Sequence, residues 1–253
     1  LVGSEMCIRD RNIKVYASTD PDFIPEDVPV AMADISDLKM TIVTNDPTKR
    51  YYYTLLFDDK YRVKIATRNI NIPGVQNFRD LGGYPSYSTK KQMRWGMIYR
   101  SAEIDSLECS SRRELKNLGI KTLIDLRASS EIGRQSPLQK GFNVVHIPLA
   151  TGDMEGILKG IREEKIKSDT VYRMVERMNR ILIDQYTKEY RQIFDILLDK
   201  NSYPVVIHCS SGKGRTGIVS ALVLAALGIN EDIIMEDYRL SNDYFNIPSA
   251  SKY

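Results

Sequence analysis

The sequence predicts an α/β fold, a mostly parallel central sheet flanked by helices, preceded by a small, incomplete β-sandwich-like domain. Two observations carry this prediction. As far as about Ile70, short alternations of apolar and polar residues separated by turn residues indicate strands without helices. Beyond Ile70, strands and helical segments alternate, which is typical of a parallel sheet covered by helices.

The composition is that of an ordinary globular protein and excludes several classes of partner. Of 253 residues, 42% are hydrophobic and 27% are charged. The net charge of +3 is too small to indicate nucleic acid or a membrane surface as a partner. The longest apolar run, 218–227, is too short to be a transmembrane segment. The three cysteines are scattered and do not form a disulfide framework.

The first domain is small and built from strands. Residues 1–11, LVGSEMCIRDR, are left out of the fold prediction because they resemble a translated sequencing adapter; a disordered tail is the alternative. On the first interpretation Cys7 is not native and any N-terminal signal is missing. The β domain then covers residues 12–70. We expect its strands at 13–16, 39–43, 51–57 and 61–65.

The second domain, residues 71–253, carries the alternating pattern. We expect strands at 97–100, 121–126, 143–147 and 205–207, and helices at about 110–119, 169–199 (as two helices), 216–227 and beyond Asn230, which caps the last one. Ligands of such sheets bind at the carboxyl ends of the strands. The strand 205–207 leads directly into His208 and Cys209, so the site is expected there.

The loop HCSSGKGRTG, residues 208–217, joins this strand to a helix and has the features of an anion cradle. The cradle consists of Ser210, Ser211, Gly212, Lys213 and Gly214. Its two glycines let backbone N–H groups turn inward, towards the positive end of the helix that begins near Thr216. Arg215 adds a planar fork that can bind two phosphate oxygens. Cys209, at the base, is favoured as a thiolate and so as a nucleophile directed at phosphorus.

Two other kinds of site fit this loop poorly. A nucleotide-binding phosphate loop needs lysine and Ser/Thr after its second glycine, whereas Lys213 precedes Gly214. A metal centre needs more ligands than two histidines in the whole chain and no neighbouring second cysteine provide. We therefore expect no metal and no cofactor.

Taken together, the motifs resemble a known family. HCSSGKGRTG resembles the Cys-x5-Arg signature of the cysteine-dependent protein tyrosine phosphatases. Further stretches resemble the bacterial tyrosine/serine phosphatases: NFRDLGGY at 77–84, YRS at 99–101, DLR at 125–127 with Glu131, and EDYRLSND at 236–243. The likeness covers about residues 72–244. It implies the cysteine-phosphatase fold and hydrolysis of phosphotyrosine, with dual specificity for phosphoserine, through a cysteinyl-phosphate and without metal.

The resemblance also implies a role for each loop residue. Cys209 would be the nucleophile, Arg215 the phosphate clamp, and Thr216 the hydroxyl that supports the thiolate and its departure. His208 would orient the loop and favour ionisation of the thiol. Where the family has aspartate this chain has Gly214, and GKGRTG is similar to the loop of a tumour-suppressor lipid phosphatase. Family members continue past Tyr253, so we expect the C-terminus to be truncated.

The reaction needs a proton donor for the leaving oxygen, and our choice is Asp153. It follows the strand 143–147, where dual-specificity phosphatases place their acid; a solvated loop carboxylate is the alternative. Asp125 is the second candidate, although DLR is better interpreted as a structural salt-bridge network. Asp184, in the middle of a predicted helix, is the third.

The function predicted is therefore that of a protein-tyrosine phosphatase acting on a phosphoprotein or phosphopeptide. One alternative is a phosphoinositide phosphatase. An alternative of a different class is a phosphate-binding module without turnover. The composition is typical of a soluble protein and the resemblance is to a bacterial family. The sequence leaves open whether the protein is cytoplasmic, secreted or periplasmic.

Overall fold

The computed structural model describes residues 12–37, 39–44, 46, 49–104, 109–132, 141–150, 160, 163 and 168–246. The chain divides into two compact units, with the boundary between Arg68 and Asn69. In the described residues the first unit is all β and the second is α/β.

The first unit is a four-stranded antiparallel sheet in the order β2-β1-β3-β4. Its strands are β1 (Asn12–Ser18), β2 (Ala31–Asp34), β3 (Tyr52–Phe57) and β4 (Tyr61–Ala66). The turn from β3 to β4 contains Asp58 and Asp59 at φ of 49° and 53°, a conformation that aspartate tolerates better than most residues. Along β3, every second residue is buried, the period expected of a sheet with one covered face.

Three of the four strands predicted in this unit are confirmed, and the prediction of a strand at 39–43 is wrong. Those residues adopt no regular structure, and Val43 is 88% exposed. The edge of β1 is occupied by β2 instead, from Asn12 opposite Asp34 to Val15 opposite Ala31. Alternation alone does not make a strand, because a strand needs a free edge to pair with.

The second unit is built on a five-stranded sheet in the order β5-β6-β9-β7-β8. The strands are β5 (Arg79–Asp80), β6 (Ile98–Ser101), β7 (Thr122–Asp125), β8 (Asn143–His146) and β9 (Val205–His208). Only β5, at the edge, is antiparallel to its neighbour; the other pairs are parallel. The predicted α/β class with a mostly parallel sheet is confirmed.

The helices of this unit follow the predicted order. They are α1 (Cys109–Asn117), α2 (Ser168–Gln185), α3 (Thr187–Leu198), α4 (Gly214–Ala226), α5 (Glu231–Arg239) and α6 (Ser241–Tyr244), with 3₁₀ turns at Ser129–Glu131 and Lys200–Ser202. Asn230 caps α5 as predicted, since its side chain accepts a hydrogen bond from the N–H of Asp232 at 2.9 Å. No helix in the described part of the chain is long and apolar enough to cross a membrane.

Strand β9 is fixed by two separate hydrophobic cores. Val205 and Ile207 enter the core that contains Val219 of α4, while Val206 enters the core that contains Leu115 of α1. All three β9 residues have no exposed surface, and burial of such a side chain contributes about 1.5–3 kcal/mol to stability. The end of β9 is therefore held firmly in the middle of the sheet.

Candidate active site

Three parallel strands end side by side at the carboxyl edge of the sheet. His208, the last residue of β9, lies opposite Ser101 of β6 on one side and Asp125 of β7 on the other. The carbonyl of His208 accepts a hydrogen bond from the N–H of Leu126 at 2.9 Å. Cys209 follows with only 1% of its surface exposed. The candidate nucleophile is therefore buried at the base of the loop.

The loop after Cys209 turns its carbonyl groups outward. The carbonyl of Ser210 accepts from the N–H of Glu103 at 3.2 Å, that of Ser211 from Nδ2 of Asn77 at 3.0 Å, and that of Gly212 from Nη2 of Arg100 at 2.8 Å. In a trans peptide the C=O and the following N–H point in opposite directions. The N–H groups that follow these carbonyls therefore face the concave side. Together with the N-terminus of α4 they form a concave surface of the kind that can bind an anion.

The two loop glycines differ in what their positions require. Gly212 has φ of +66°, and a Cβ atom added there would lie 2.4 Å from the carbonyl oxygen of Ser101. Only glycine fits that position. At Gly214 an added Cβ would meet no atom within 4 Å. Glycine is thus dictated by the backbone at the first position but not at the second.

Arg215 is held by an acidic side chain from the 3₁₀ turn after β7. Its Nη1 and Nη2 donate to the two carboxylate oxygens of Glu131, with 2.7 Å between Nη2 and Oε1, and Nη2 lies 3.2 Å from Oγ of Ser210. The hydroxyl of Ser210 donates to the same Oε1 at 2.7 Å. Nη1 also lies 3.5 Å from the carbonyl oxygen of Leu126. Of the five guanidinium N–H donors, these contacts leave Nε–H for another acceptor.

This arrangement shifts both ionisation equilibria towards the charged forms. Burial would raise the pKa of Glu131, but hydrogen bonds from Arg215 and Ser210 outweigh it and lower that pKa to about 2. Burial would lower the pKa of Arg215, but its hydrogen bond to Glu131 and the charge of Cys209 raise it. Both side chains are charged at neutral pH.

Asp125 belongs to a second ion pair, with Arg127. Its carboxylate accepts from the backbone N–H, Nε and Nη2 of Arg127, the last at 2.6 Å, and both side chains are buried. Burial would raise the pKa of Asp125, but the hydrogen bond from Arg127 and the charge of His208 outweigh it, so the pKa is lowered. A carboxylate held ionised in this way is a poor proton donor, which supports the structural interpretation of DLR.

Two further predicted site residues have contrasting positions. Thr216, in the first turn of α4, is fully buried, and its hydroxyl has no hydrogen-bond partner among the residues described. Lys213 places its ammonium 5.1 Å from the centre of the Phe245 ring.

Of the remaining acid candidates, Asp153 lies outside the described residues, and Asp184 is exposed on α2. Elsewhere in the described ranges, no three His, Cys, Asp or Glu side chains cluster as metal ligands would.

The sequence argument assigned no role to several residues that shape the loop. These are Asn77, Arg100, Glu131 and Asp237. All four stand in the stretches that carried the family resemblance. A further signal was available at Arg100: the strand predicted at 97–100 belongs to a helix-covered parallel sheet, whose strands are buried on both faces, so a charged residue there needs a partner.

Comparison with known proteins places this site in a family. A family model described as the tyrosine phosphatase family matches residues 70–252. The chain is 32% identical over 194 residues to the triple specificity protein phosphatase PtpB of Mycobacterium tuberculosis, covering 68% of each chain. It is 25% identical over 148 residues to the tyrosine-protein phosphatase of Nostoc commune, covering 57% of this chain and 48% of that one.

Among solved structures, the chain also matches the Siw14 catalytic core, at 18% identity and a TM-score of 0.39, covering 60% of this chain and 73% of that one. Another is TpbA of P. aeruginosa, at 17% identity and a TM-score of 0.34, covering 64% and 80%. The family match spans well over half of the chain and includes the whole loop from His208 to Gly217. The chain therefore belongs to the tyrosine phosphatase family, and the class of enzyme predicted from its sequence is confirmed.

Proposed function

We propose that the chain hydrolyses phosphotyrosine in proteins, and phosphoserine as a further substrate, through a cysteinyl-phosphate formed on Cys209. The observation that carries this proposal is the loop itself. Cys209 is buried beneath a backbone whose carbonyls are held outward by Glu103, Asn77 and Arg100. The opposite face, lined by N–H groups, suits the three non-bridging oxygens of a phosphate monoester.

Phosphate binding uses the N–H groups of the loop and the Nε–H of Arg215. The phosphate oxygens accept hydrogen bonds from the loop N–H groups and from Nε–H of Arg215, while Glu131 keeps the guanidinium plane fixed. The same donors act on the charge that builds up on the equatorial oxygens in the transition state. Loss of one such preorganised donor typically lowers kcat by about 10²–10³.

In the first step the thiolate of Cys209 attacks phosphorus. A sulfur–phosphorus bond forms, the bond from phosphorus to the substrate oxygen breaks, and a proton passes from an acid to that oxygen. Asp153 remains our choice for this acid. The ion pair with Arg127 makes Asp125 the weaker candidate.

In the second step water attacks the cysteinyl-phosphate. An oxygen–phosphorus bond forms, the sulfur–phosphorus bond breaks, and the carboxylate left by the first step takes the proton of the water. The products are inorganic phosphate and the regenerated thiolate. The hydroxyl of Thr216 is buried and has no hydrogen-bond partner among the described residues. This supports a role in stabilising the leaving sulfur, because an unsatisfied donor in the interior gains a hydrogen bond when the sulfur becomes charged.

A phosphoinositide is the second candidate substrate, and Gly214 favours it. The space around that position is open, since an added Cβ would touch nothing within 4 Å. An open rim at this position, with no carboxylate on residue 214, accommodates a substrate that bears more than one phosphate. The mycobacterial relative is named a triple specificity phosphatase, which is a reason to assay more than one class of substrate.

The test is a panel of a phosphotyrosine peptide, a phosphoserine peptide and a phosphoinositide, assayed with the full chain and two variants. Cys209→Ser should have no turnover while still binding inorganic phosphate, because the cradle and Arg215 remain. Cys109→Ser, which changes an exposed cysteine on α1, should keep full activity. EDTA should have no effect.

Three results would contradict the proposal. Substantial activity of Cys209→Ser would exclude a cysteinyl-phosphate. Loss of activity in EDTA would exclude a metal-free site. Tight phosphate binding by the unaltered chain without turnover on any substrate would favour the phosphate-binding module.

A further inference from the structure

Three charged side chains are buried together behind the phosphate loop. Arg79 of β5, Arg100 of β6 and Asp237 of α5 are 0–1% exposed. Oδ2 of Asp237 accepts from Nη1 of Arg100 at 2.6 Å, and Oδ1 accepts from Nε of Arg79 at 3.3 Å. The hydroxyl of Tyr84 also donates to Oδ1, at 3.1 Å. One carboxylate thus orients two guanidinium groups.

Both arginines are connected by hydrogen bonds to carbonyl groups of the loop, one directly and one through Asn77. Arg100 donates through Nη2 directly to the carbonyl of Gly212 at 2.8 Å. Arg79 donates through Nη1 to Oδ1 of Asn77, and Nδ2 of Asn77 donates to the carbonyl of Ser211 at 3.0 Å. The peptide groups that follow Ser211 and Gly212 are therefore oriented by side chains that are themselves hydrogen-bonded, directly or through Arg79, to Asp237.

The cluster carries an excess positive charge in the interior. Burial would raise the pKa of Asp237, but the charges of Arg100 and Arg79 outweigh it and lower that pKa. Burial and repulsion from Arg100 lower the pKa of Arg79 to about 10, so it stays protonated at neutral pH. Two cations and one anion leave a net charge of about +1 behind the loop. Asp237→Asn would raise this charge, so charge alone would strengthen phosphate binding in that variant, and weaker binding would have to come from misplaced donors.

We propose that Asp237 is a positioning residue for phosphate binding, acting through Arg100 and through Arg79 with Asn77. It fixes the peptide groups after Ser211 and Gly212 so that their N–H groups face the phosphate. This inference rests on the proposed function, because it takes the concave face of the loop as the phosphate site. Asp237 itself does not touch the substrate.

The competing explanation is that the cluster only fastens α5 and α6 to the sheet. Arg79 also donates through Nη2 to the carbonyl of Asp237 and to Oγ of Ser241, which are contacts of that kind. A purely structural role predicts a loss of stability without a change in phosphate affinity. A positioning role predicts a loss of phosphate affinity in folded protein.

The experiment measures the Kd of inorganic phosphate by calorimetry in a Cys209→Ser chain, so that no turnover is needed. Asp237→Asn keeps the shape of the side chain and removes its charge. Asp80→Asn is the matched control: Asp80 is a fully buried carboxylate that accepts from the N–H groups of Gly82 and Gly96, both at 2.7 Å. The unfolding midpoint of each variant is measured in parallel.

We expect both variants to unfold at a lower temperature and only Asp237→Asn to bind phosphate more weakly, by about tenfold, the equivalent of one charge-assisted hydrogen bond. In the chain with an intact cysteine the same change should lower kcat/KM. Equal phosphate affinity in the two folded variants would overturn the proposal.

A second variant decides the question if Asp237→Asn does not fold. Arg100→Lys keeps the positive charge but replaces the fork that reaches both Asp237 and the carbonyl of Gly212 with a single ammonium group. It should weaken phosphate binding by about fivefold or more. Unchanged binding would overturn the proposal. If the Cys209→Ser parent binds no phosphate, the cradle itself is wrong; if it binds phosphate but the unaltered chain has no turnover, only the proposed reaction fails.

Discussion

Glu131 and Arg215 form a two-point ion pair at the mouth of the loop, with Nη1 donating to Oε2 and Nη2 donating to Oε1 at 2.7 Å. The side chain of Glu131 is 31% exposed and that of Arg215 is 9% exposed. The pair joins the turn after β7 to the first turn of α4. It fixes the plane of the guanidinium before any phosphate arrives, and so reduces the ordering that binding would otherwise require.

This ion pair predicts a specific pH dependence of stability. The pKa of Glu131 is lowered from 4.5 to about 2 in the folded protein. A carboxylate with a lowered pKa stabilises the folded state above its unfolded pKa, and that stabilisation is lost as the pH falls towards the folded pKa. The unfolding midpoint of Glu131→Gln should therefore lie well below that of the unaltered chain at pH 7, and the difference should shrink between pH 4.5 and pH 2.

Thermal unfolding at pH 7 and at about pH 3 measures the effect. Glu176→Gln is the matched control, since Glu176 pairs with Arg180 at 2.8 Å on the exposed face of α2. An exposed pair contributes about 0–1 kcal/mol, so this variant should differ little from the unaltered chain at either pH. A constant difference for Glu131→Gln across the range would contradict the assignment.

The assignment of the general acid gives a second prediction. Asp153→Asn should lower kcat by about 10²–10⁴ on substrates with poor leaving groups and flatten the basic limb of the pH profile. It should matter much less for an aryl phosphate whose leaving group scarcely needs a proton. Asp125→Asn should mainly reduce stability, because it breaks a buried ion pair with Arg127. If only Asp125→Asn flattens the basic limb, Asp125 is the acid.

The contrast between the loop glycines gives a third prediction. Gly212→Ala should abolish phosphate binding, because a left-handed backbone costs a non-glycine residue roughly 1–3 kcal/mol and the added Cβ would lie 2.4 Å from a carbonyl oxygen. Gly214→Ala should keep both binding and stability, since its Cβ meets no atom within 4 Å. Phosphate calorimetry on both variants is the measurement. Similar behaviour of the two would show that the loop backbone does not have a left-handed conformation at Gly212.

The sequence could predict the features of the fold and of the site that depend on local patterns of residues. The alternation of strands and helices after Ile70 and the placement of Cys209 at the end of a strand follow from hydrophobic periodicity and from turn residues. The missed features are pairings over long distances in the chain. Glu131 and Arg215 are 84 positions apart, and Arg100 and Asp237 are 137 apart. Hydrophobic periodicity cannot predict such an ion pair, because the two residues come into contact only when the sheet has assembled.

The strand expected at 39–43 failed for a related reason. Its alternation is genuine, but pairing with β1 was taken by β2, whose sequence Ala-Met-Ala-Asp carries a weaker pattern. Which of two segments pairs with a given edge is decided by loop lengths and packing of the assembled sheet, and a short window of sequence contains neither.

Gly214 gives the last prediction, on substrate class. Its position opens the first turn of α4, between Lys213 and Arg215, and has room for a side chain. An aspartate there would set a negative charge beside the bound phosphate, at a cost of roughly 1 kcal/mol or more for an effective dielectric near 20. The cost rises with the number of phosphates on the substrate, because each additional one adds negative charge near the rim.

Gly214→Asp should therefore lower kcat/KM more for a polyphosphorylated inositide than for a phosphotyrosine peptide. Gly214→Asn is the matched control, because it has the same size without the charge and should change both substrates alike. The measurement is kcat/KM for both substrates in the unaltered chain and the two variants, repeated at higher salt, where a charge effect must weaken. Equal losses in Gly214→Asp, or a larger loss on the peptide, would mean that this position does not distinguish lipid from protein substrates.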